Sequence, residues 1–208
     1  MPFLPDLPDN AHAVHVFARY PHIYKLYSMA SLAIMRGPSP LSEAQREMIG
    51  AYVSALNGCD FCFGAHRETA RLFGIDPEIF GALMVDLDSA PVSEAERALL
   101  LYARKLNDTP SRIIAADAQA VFDAGWDADA LHSLVAVVCT FSFMNRFAPG
   151  LGIEAAAQDA AALGAERART LWEPALPIPA RAVADTPEKA YAMAPPDWSR
   201  IWGWDSER

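Results

Sequence analysis

The segment NGCDFCFGAH, residues 57–66, sets Cys59 and Cys62 three positions apart and His66 four positions further on. Three chemistries use such a set: a zinc site, a structural disulfide, or a reactive thiol pair beside a proton-handling imidazole. If residues 59–66 form one helix, about 100° per residue brings all three side chains within an arc of about 60°. Side chains at i and i+3 are neighbours, so the two sulfurs can meet, and His66 can approach Cys62 at i+4. Cys59 and His66 are separated by about 10 Å of helix rise. Ligands of one zinc lie within about 4 Å of each other, so a zinc holding both cysteines hardly reaches His66. The chain offers neither a second Cys-x-x-Cys nor a His-x-x-x-His pair. A cysteine at a helix N-terminus gains thiolate character from the dipole, and Cys59 is the one so placed. A histidine beside Cys62 can take its proton, or hold a water that does.

Such a histidine needs an orienting partner, usually a carboxylate. The preceding segment opens with a capping box, Ser42-Glu43-Ala44-Gln45, and predicts a helix to about Leu56. Its apolar face is Met48, Ile49, Tyr52, Val53 and Leu56, and the row Glu47–Ala51–Ala55 borders that face. Glu47 is the candidate partner; a boundary carboxylate paired with a nearby arginine is the alternative. Glu43, one turn earlier, is explained by the helix dipole.

The elements that must position these groups are helical. No segment alternates as a strand does, so the expected class is all-α. Helical spacing runs through 11–35 with a break or start at Pro21, and RGPSP at 36–40 is a loop. After Asn57-Gly58 a helix is expected from Cys59 to Phe73, closed by Gly74, then a short one opened by Asp76-Pro77-Glu78. A second capping box, Ser93-Glu94-Ala95-Glu96, leads a helix to about Leu106. Further helices are expected over 113–124 and from Asp129 to Phe147, stopped by Pro149-Gly150. LSEAQREMI at 41–49 and VSEAERALL at 92–100 echo each other at an offset of 51 residues, as a repeated helical hairpin would. The expected organisation is one core domain over 1–173 and a proline- and tryptophan-rich arm over 174–208, whose Trp198, Trp202 and Trp204 favour packing over exposure.

Composition sets the setting. The chain has 208 residues, 52% hydrophobic and 21% charged, with a formal net charge of −9. Such acidity repels phosphate backbones, so no nucleic-acid partner is expected. MPFLPDLPDNAH carries prolines and acids where a signal peptide carries a basic region and an apolar run. The apolar run Leu134–Met144 is too short for a bilayer, so no membrane partner and a cytoplasmic location are expected. In a reducing compartment a Cys-x-x-Cys is catalytic or metal-binding more often than a permanent staple.

Glu47, then Cys59 twelve residues on, then Cys62 and His66, resembles the signature of alkyl hydroperoxidase D, within the carboxymuconolactone decarboxylase-like superfamily. The context SEAQREMIGAYVSALNGCDFCFGAH, and AGWDADALHSLVAVVCTFSFMNRFAPGLGIE further on, are similar to its peroxidase-related branch, over roughly residues 12–155. The resemblance implies an all-helical homo-oligomer, a trimer or hexamer with a dimer also open, and a thiol-dependent peroxidase acting on hydrogen peroxide or organic hydroperoxides. It implies Cys62 as the attacking thiol, Cys59 as the resolving one, and His66 with Glu47 as a proton relay. It implies no bound cofactor or metal, and an external dithiol or redox adaptor protein as reductant. Phe61 stands where alkyl hydroperoxidase D has a histidine, so a secondary acid–base group is missing. The alternative is a non-enzymatic redox sensor or assembly module built on a reversible Cys59–Cys62 disulfide; it predicts an assembly change on oxidation without turnover.

Cys139, within VAVVCTFSF, is expected to be buried and inert. His132 reads as structural, and Asn145 and Arg146 as substrate contacts or helix caps. His12, His15 and His22 show no metal spacing, and no phosphate loop or Gly-x-Ser-x-Gly is present.

Overall fold

The structure is a computed structural model and describes residues 2–153 and 157–169. Contacts divide the chain into units Met1–Trp172 and Glu173–Arg208. The arm expected over 174–208 lies outside the described residues. Among the described residues the chain is all-α, with helices α1 (Ala13–Arg19), α2 (Pro21–Arg36), α3 (Glu43–Leu56), α4 (Asp60–Leu72), α5 (Ile79–Val85), α6 (Glu94–Asp108), α7 (Ala115–Asp123), α8 (Ala128–Gly150) and α9 (Ala157–Arg169).

The fold is organised around α3. Residues 46–54 of this helix are buried without interruption, where the sequence suggested a single apolar face with Glu47 at its border. Helices α2, α4, α5, α6 and α8 all pack against it. Even Arg46 is enclosed, and its guanidinium donates to the carbonyls of Ile34 (2.8 Å) and Gly37 (2.9 Å), fixing the end of α2. At Gly50 an added Cβ would lie 2.3 Å from the Phe141 ring, so only glycine lets α8 approach this closely.

Both capping boxes form. Ser42 Oγ accepts from the Gln45 amide and Gln45 Oε1 from the Ser42 amide; Ser93 and Glu96 do the same. The echo between the two segments has a structural counterpart. Gln45 Nε2 donates to Glu96 Oε1 at 3.5 Å at the starts of α3 and α6. At their far ends Asn57 and Asn107 exchange side-chain hydrogen bonds of 2.9 and 3.1 Å. The two helices therefore run parallel and in register.

α3 ends in a Schellman turn: Gly58 at φ 66° lets its amide donate to Ala55 O and the Cys59 amide to Ser54 O. This turn sets Cys59 at the N-cap of α4 rather than inside it, one residue later than the expected helix start.

Three features depart from the sequence reading. α8 runs through Pro149, which sits in the last turn, where its missing amide removes only one intrahelical bond. With 23 residues and a window of mean hydropathy 1.3, α8 is long and apolar enough to cross a membrane, which the Leu134–Met144 run alone is not. Here Leu134, Val137, Val138 and Phe141 belong to the main core, as in a core helix. Cys139 is exposed rather than buried. Because residues 134–139 are apolar without a break, periodicity assigns them no inner face; Cys139 lies on an open stripe with His132, Phe143 and Arg146. The third departure is α9, a helix the sequence reading does not place. It docks on α4 where Gly164 has no Cβ: one would meet Ala65 O at 2.5 Å. The Thr69 hydroxyl reaches both Ala65 O and Gly164 O, at 2.9 and 3.1 Å.

Candidate active site

The four residues singled out from the sequence come together where α3 and α4 pack. Glu47 is 0% exposed and His66 6%. Glu47 Oε2 lies 2.5 Å from His66 Nδ1, and Oε1 lies 2.6 Å from Arg36 Nη1. Arg36, from the last turn of α2, is itself 3% exposed in its side chain. Its guanidinium also donates to Met35 O and Arg167 O, at 3.0 and 3.2 Å, and lies over the Phe73 ring. Arginine and carboxylate thus neutralise each other in the core, and the imidazole hangs from the other carboxylate oxygen.

Burial pushes the Glu47 carboxyl up, but His66 and Arg36 outweigh it and hold it below the usual carboxylate range. Burial pushes His66 down, with Arg167 and Arg36 adding to this and Glu47 opposing. The pair at neutral pH is an ionised Glu47 and a neutral His66. The imidazole proton then sits on Nδ1, donating to Glu47, and Nε2 is left as an acceptor. The Phe141 ring meets the imidazole edge-on at 4.4 Å and holds its orientation.

The two thiols are reduced and unequal. Cys59 is half-buried; Cys62 is 8% exposed. Cys59 Sγ accepts from the Cys62 S–H, from the Cys62 amide, and from the Asn145 side chain; against burial, these bring its pKa down to about 7. The Cys62 thiol, which donates to Cys59 and is buried, is pushed up. The resting negative charge therefore belongs to Cys59, as the N-cap position predicts. Alkylation of the reduced protein should accordingly rise through a midpoint near pH 7, with the label on Cys59 in peptide mapping. Labelling of Cys62 first, or a midpoint at the ordinary thiol value, would contradict this charge distribution.

Asn145, expected as a substrate contact or a helix cap, does not cap α8. It is buried, donates to Ser54 Oγ at 3.1 Å, and accepts from Asn57 Nδ2 at 3.1 Å. Its amide thus ties the thiol pair to the joined ends of α3 and α6. Arg146, beside it, is exposed and donates to Ser142 O. His132 is exposed on the open stripe of α8.

A cavity of about 430 Å³ opens beside the thiols. Cys62 and His66 lie on its wall, with Phe17, Phe61, Phe141 and Met144; Cys59 does not line it. Phe61 is therefore part of an apolar wall, with the ring of His12 at 6.4 Å. Access from the cavity belongs to Cys62 and resting charge to Cys59. Among the described residues no three His, Cys, Asp or Glu side chains gather as metal ligands would.

An all-helical bundle with a Cys-x-x-Cys at the start of one helix, and a buried Glu–His pair linking that helix to its neighbour, defines the alkyl hydroperoxidase D-like class. Residues 21–105 match the model of the Carboxymuconolactone decarboxylase family, so the chain carries a domain of that family, in its alkyl hydroperoxidase D-like form. An uncharacterized peroxidase-related protein from Silicibacter sp. TM1040 shares the fold with a TM-score of 0.64 and 26% identity, over 69% of this chain and 75% of that one. Another peroxidase-related protein, from Ralstonia eutropha JMP134 and described as an alkylhydroperoxidase AhpD core, gives a TM-score of 0.65 at 24% identity, over 72% and 78%. An uncharacterized protein of Bacillus subtilis is 25% identical over 120 residues, 58% of this chain and 82% of its own. The matched span contains Arg36, Glu47, Cys59, Cys62 and His66; Asn145 and Arg167 lie beyond it.

Proposed function

We propose that the protein is a thiol-dependent peroxidase that reduces hydrogen peroxide or organic hydroperoxides through Cys59 and Cys62. The observation that carries this reading is the cavity that exposes Cys62 and His66 on one wall, with Glu47 buried behind the imidazole. His66 Nε2 takes the proton of Cys62 as its sulfur attacks one peroxide oxygen. The S–O bond forms, the O–O bond breaks, and the departing oxygen collects that proton as an alcohol or water. The sulfur is oxidised to a sulfenic acid. The Cys59 thiolate then attacks the sulfenic sulfur, closing the disulfide and releasing hydroxide, which is protonated to water. An external dithiol reduces the disulfide by exchange, entering at the more exposed Cys59.

The test is consumption of hydrogen peroxide and of cumene hydroperoxide by the protein with excess dithiothreitol. Catalytic turnover with a Cys59–Cys62 disulfide in the oxidised form is expected. Consumption no faster than that of dithiothreitol alone would sink the reading. Homo-oligomer formation belongs to the same proposal; the open α8 stripe, with Phe143 at 41% exposure, is the surface it would cover.

A further inference from the structure

We propose that Arg167, on α9, is a catalytic residue of this reaction: its guanidinium receives the oxygen that leaves when Cys62 attacks. The inference rests on the peroxidase reading. A second cavity, of about 220 Å³, adjoins the first and is lined by Tyr27, Ser31, Arg36 and Thr140. His66 and Arg167 are the two ionisable side chains on the walls of both cavities. Arg167 therefore stands where the apolar chamber that holds Cys62 meets a smaller, less apolar one behind it.

Three further observations fit a substrate-facing cation. The Nε atom of Arg167 is buried and has no hydrogen-bond partner, an expensive state for a guanidinium unless a ligand oxygen completes it. Its charge acts on Cys62, His66 and Tyr27, favouring the anionic forms of Cys62 and Tyr27 and the neutral form of His66. Arg36, the other guanidinium nearby, is committed to Glu47 and two carbonyls. Other ionisable groups facing the chamber are His12 and the exposed Glu166. The rest of the wall is apolar, with Phe17, Phe61, Phe141 and Met144 its largest side chains, so charge developing on the departing oxygen is poorly screened and a fixed cation beside it is worth more than in water.

In the step itself, the electron pair of the O–O bond moves onto the departing oxygen while sulfur gains the other oxygen. The resulting alkoxide or hydroxide lies against Arg167 until His66 returns the Cys62 proton to it. No group beyond the peroxide and the thiol is consumed.

The docking of α9 is separable from this role. The helix is held by its Gly164 contact, by Thr69, and by the Arg167 carbonyl, which accepts from Arg36 whatever the side chain at 167. Arg167→Ala and Arg167→Lys should therefore fold. Stopped-flow oxidation of the pre-reduced proteins by cumene hydroperoxide should slow by about 100-fold in Arg167→Ala, less in Arg167→Lys. Free guanidinium ion, at a non-denaturing concentration, should restore part of the Arg167→Ala rate. Oxidation of Arg167→Ala at the wild-type rate overturns the inference and leaves the peroxidase reading standing. A slow variant that guanidinium does not rescue, with a lowered melting temperature shared by Arg167→Lys, also overturns it in favour of a structural role. A wild-type protein that consumes no peroxide removes both.

Discussion

Replacing Cys62 with serine should reduce peroxide turnover by at least about 10³-fold, because a hydroxyl at that position is neither ionised nor comparably nucleophilic. Cys59→Ser should behave differently. It keeps the sulfur that faces the cavity and loses the sulfur that carries the resting charge. It should consume about one peroxide per chain and then stop, with a sulfenic acid at Cys62 that dimedone traps. Its first oxidation should be no slower, since the negative Cys59 that pushes the Cys62 thiol up is gone. The two variants separate the roles that the structure divides: access at one sulfur, charge at the other. If Cys62→Ser kept turning over while Cys59→Ser did not, the attacking thiol would be Cys59 and the cavity would not be the peroxide site.

The second large effect concerns stability. Arg36→Met leaves Glu47 ionised, fully buried and without its cation, and should cost about 3–5 kcal/mol in urea unfolding. The double variant Arg36→Met, Glu47→Gln should recover much of that loss, because the uncompensated charge is gone. Equal stability of Arg36→Met and wild type would show that Glu47 does not need the arginine. The same pair predicts an acid limb. His66 has a folded pKa below its ordinary 6.5, so the unfolded chain binds a proton first and stability falls as pH drops below about 6.5. Glu47 has a folded pKa below its ordinary 4.5, so the stability it contributes is present above that value and is lost as pH falls through the folded one. Both contributions have the same sign, and Glu47→Gln should flatten the lower part of the curve.

Cys62 and His66 were legible because they lie on one helix with Cys59 at its N-cap, where spacing fixes which side chains share a face, and Glu47 because the resemblance places a carboxylate twelve residues before Cys59. The family match extends through the same span. Arg36 was not, although an arginine near Glu47 was considered: it stands at the start of RGPSP, which reads as a loop. What aims it inward is Arg46, which clamps the Ile34 and Gly37 carbonyls and folds that loop back. Asn145 lies 88 residues from its partner Asn57, and no local pattern marks which side of α8 meets the thiols. The same lack of contrast around α8 misplaced Cys139. Arg167 sits in a helix whose docking depends on the absence of one Cβ at Gly164, a condition set by the surface of α4 rather than by anything in its own segment.

The end-to-end pairing of α3 with α6 has a mechanical consequence. Contacts at one end alone would let one helix slide along the other by a fraction of a turn, and the Schellman turn that carries Cys59 would travel with α3. Gln45–Glu96 at one end and Asn57–Asn107 at the other oppose that shear in both directions, since any displacement lengthens both pairs together. Helix α6, which carries no thiol, thus serves as a ruler for α3. It keeps the turn that carries Cys59 from drifting along the axis of α3.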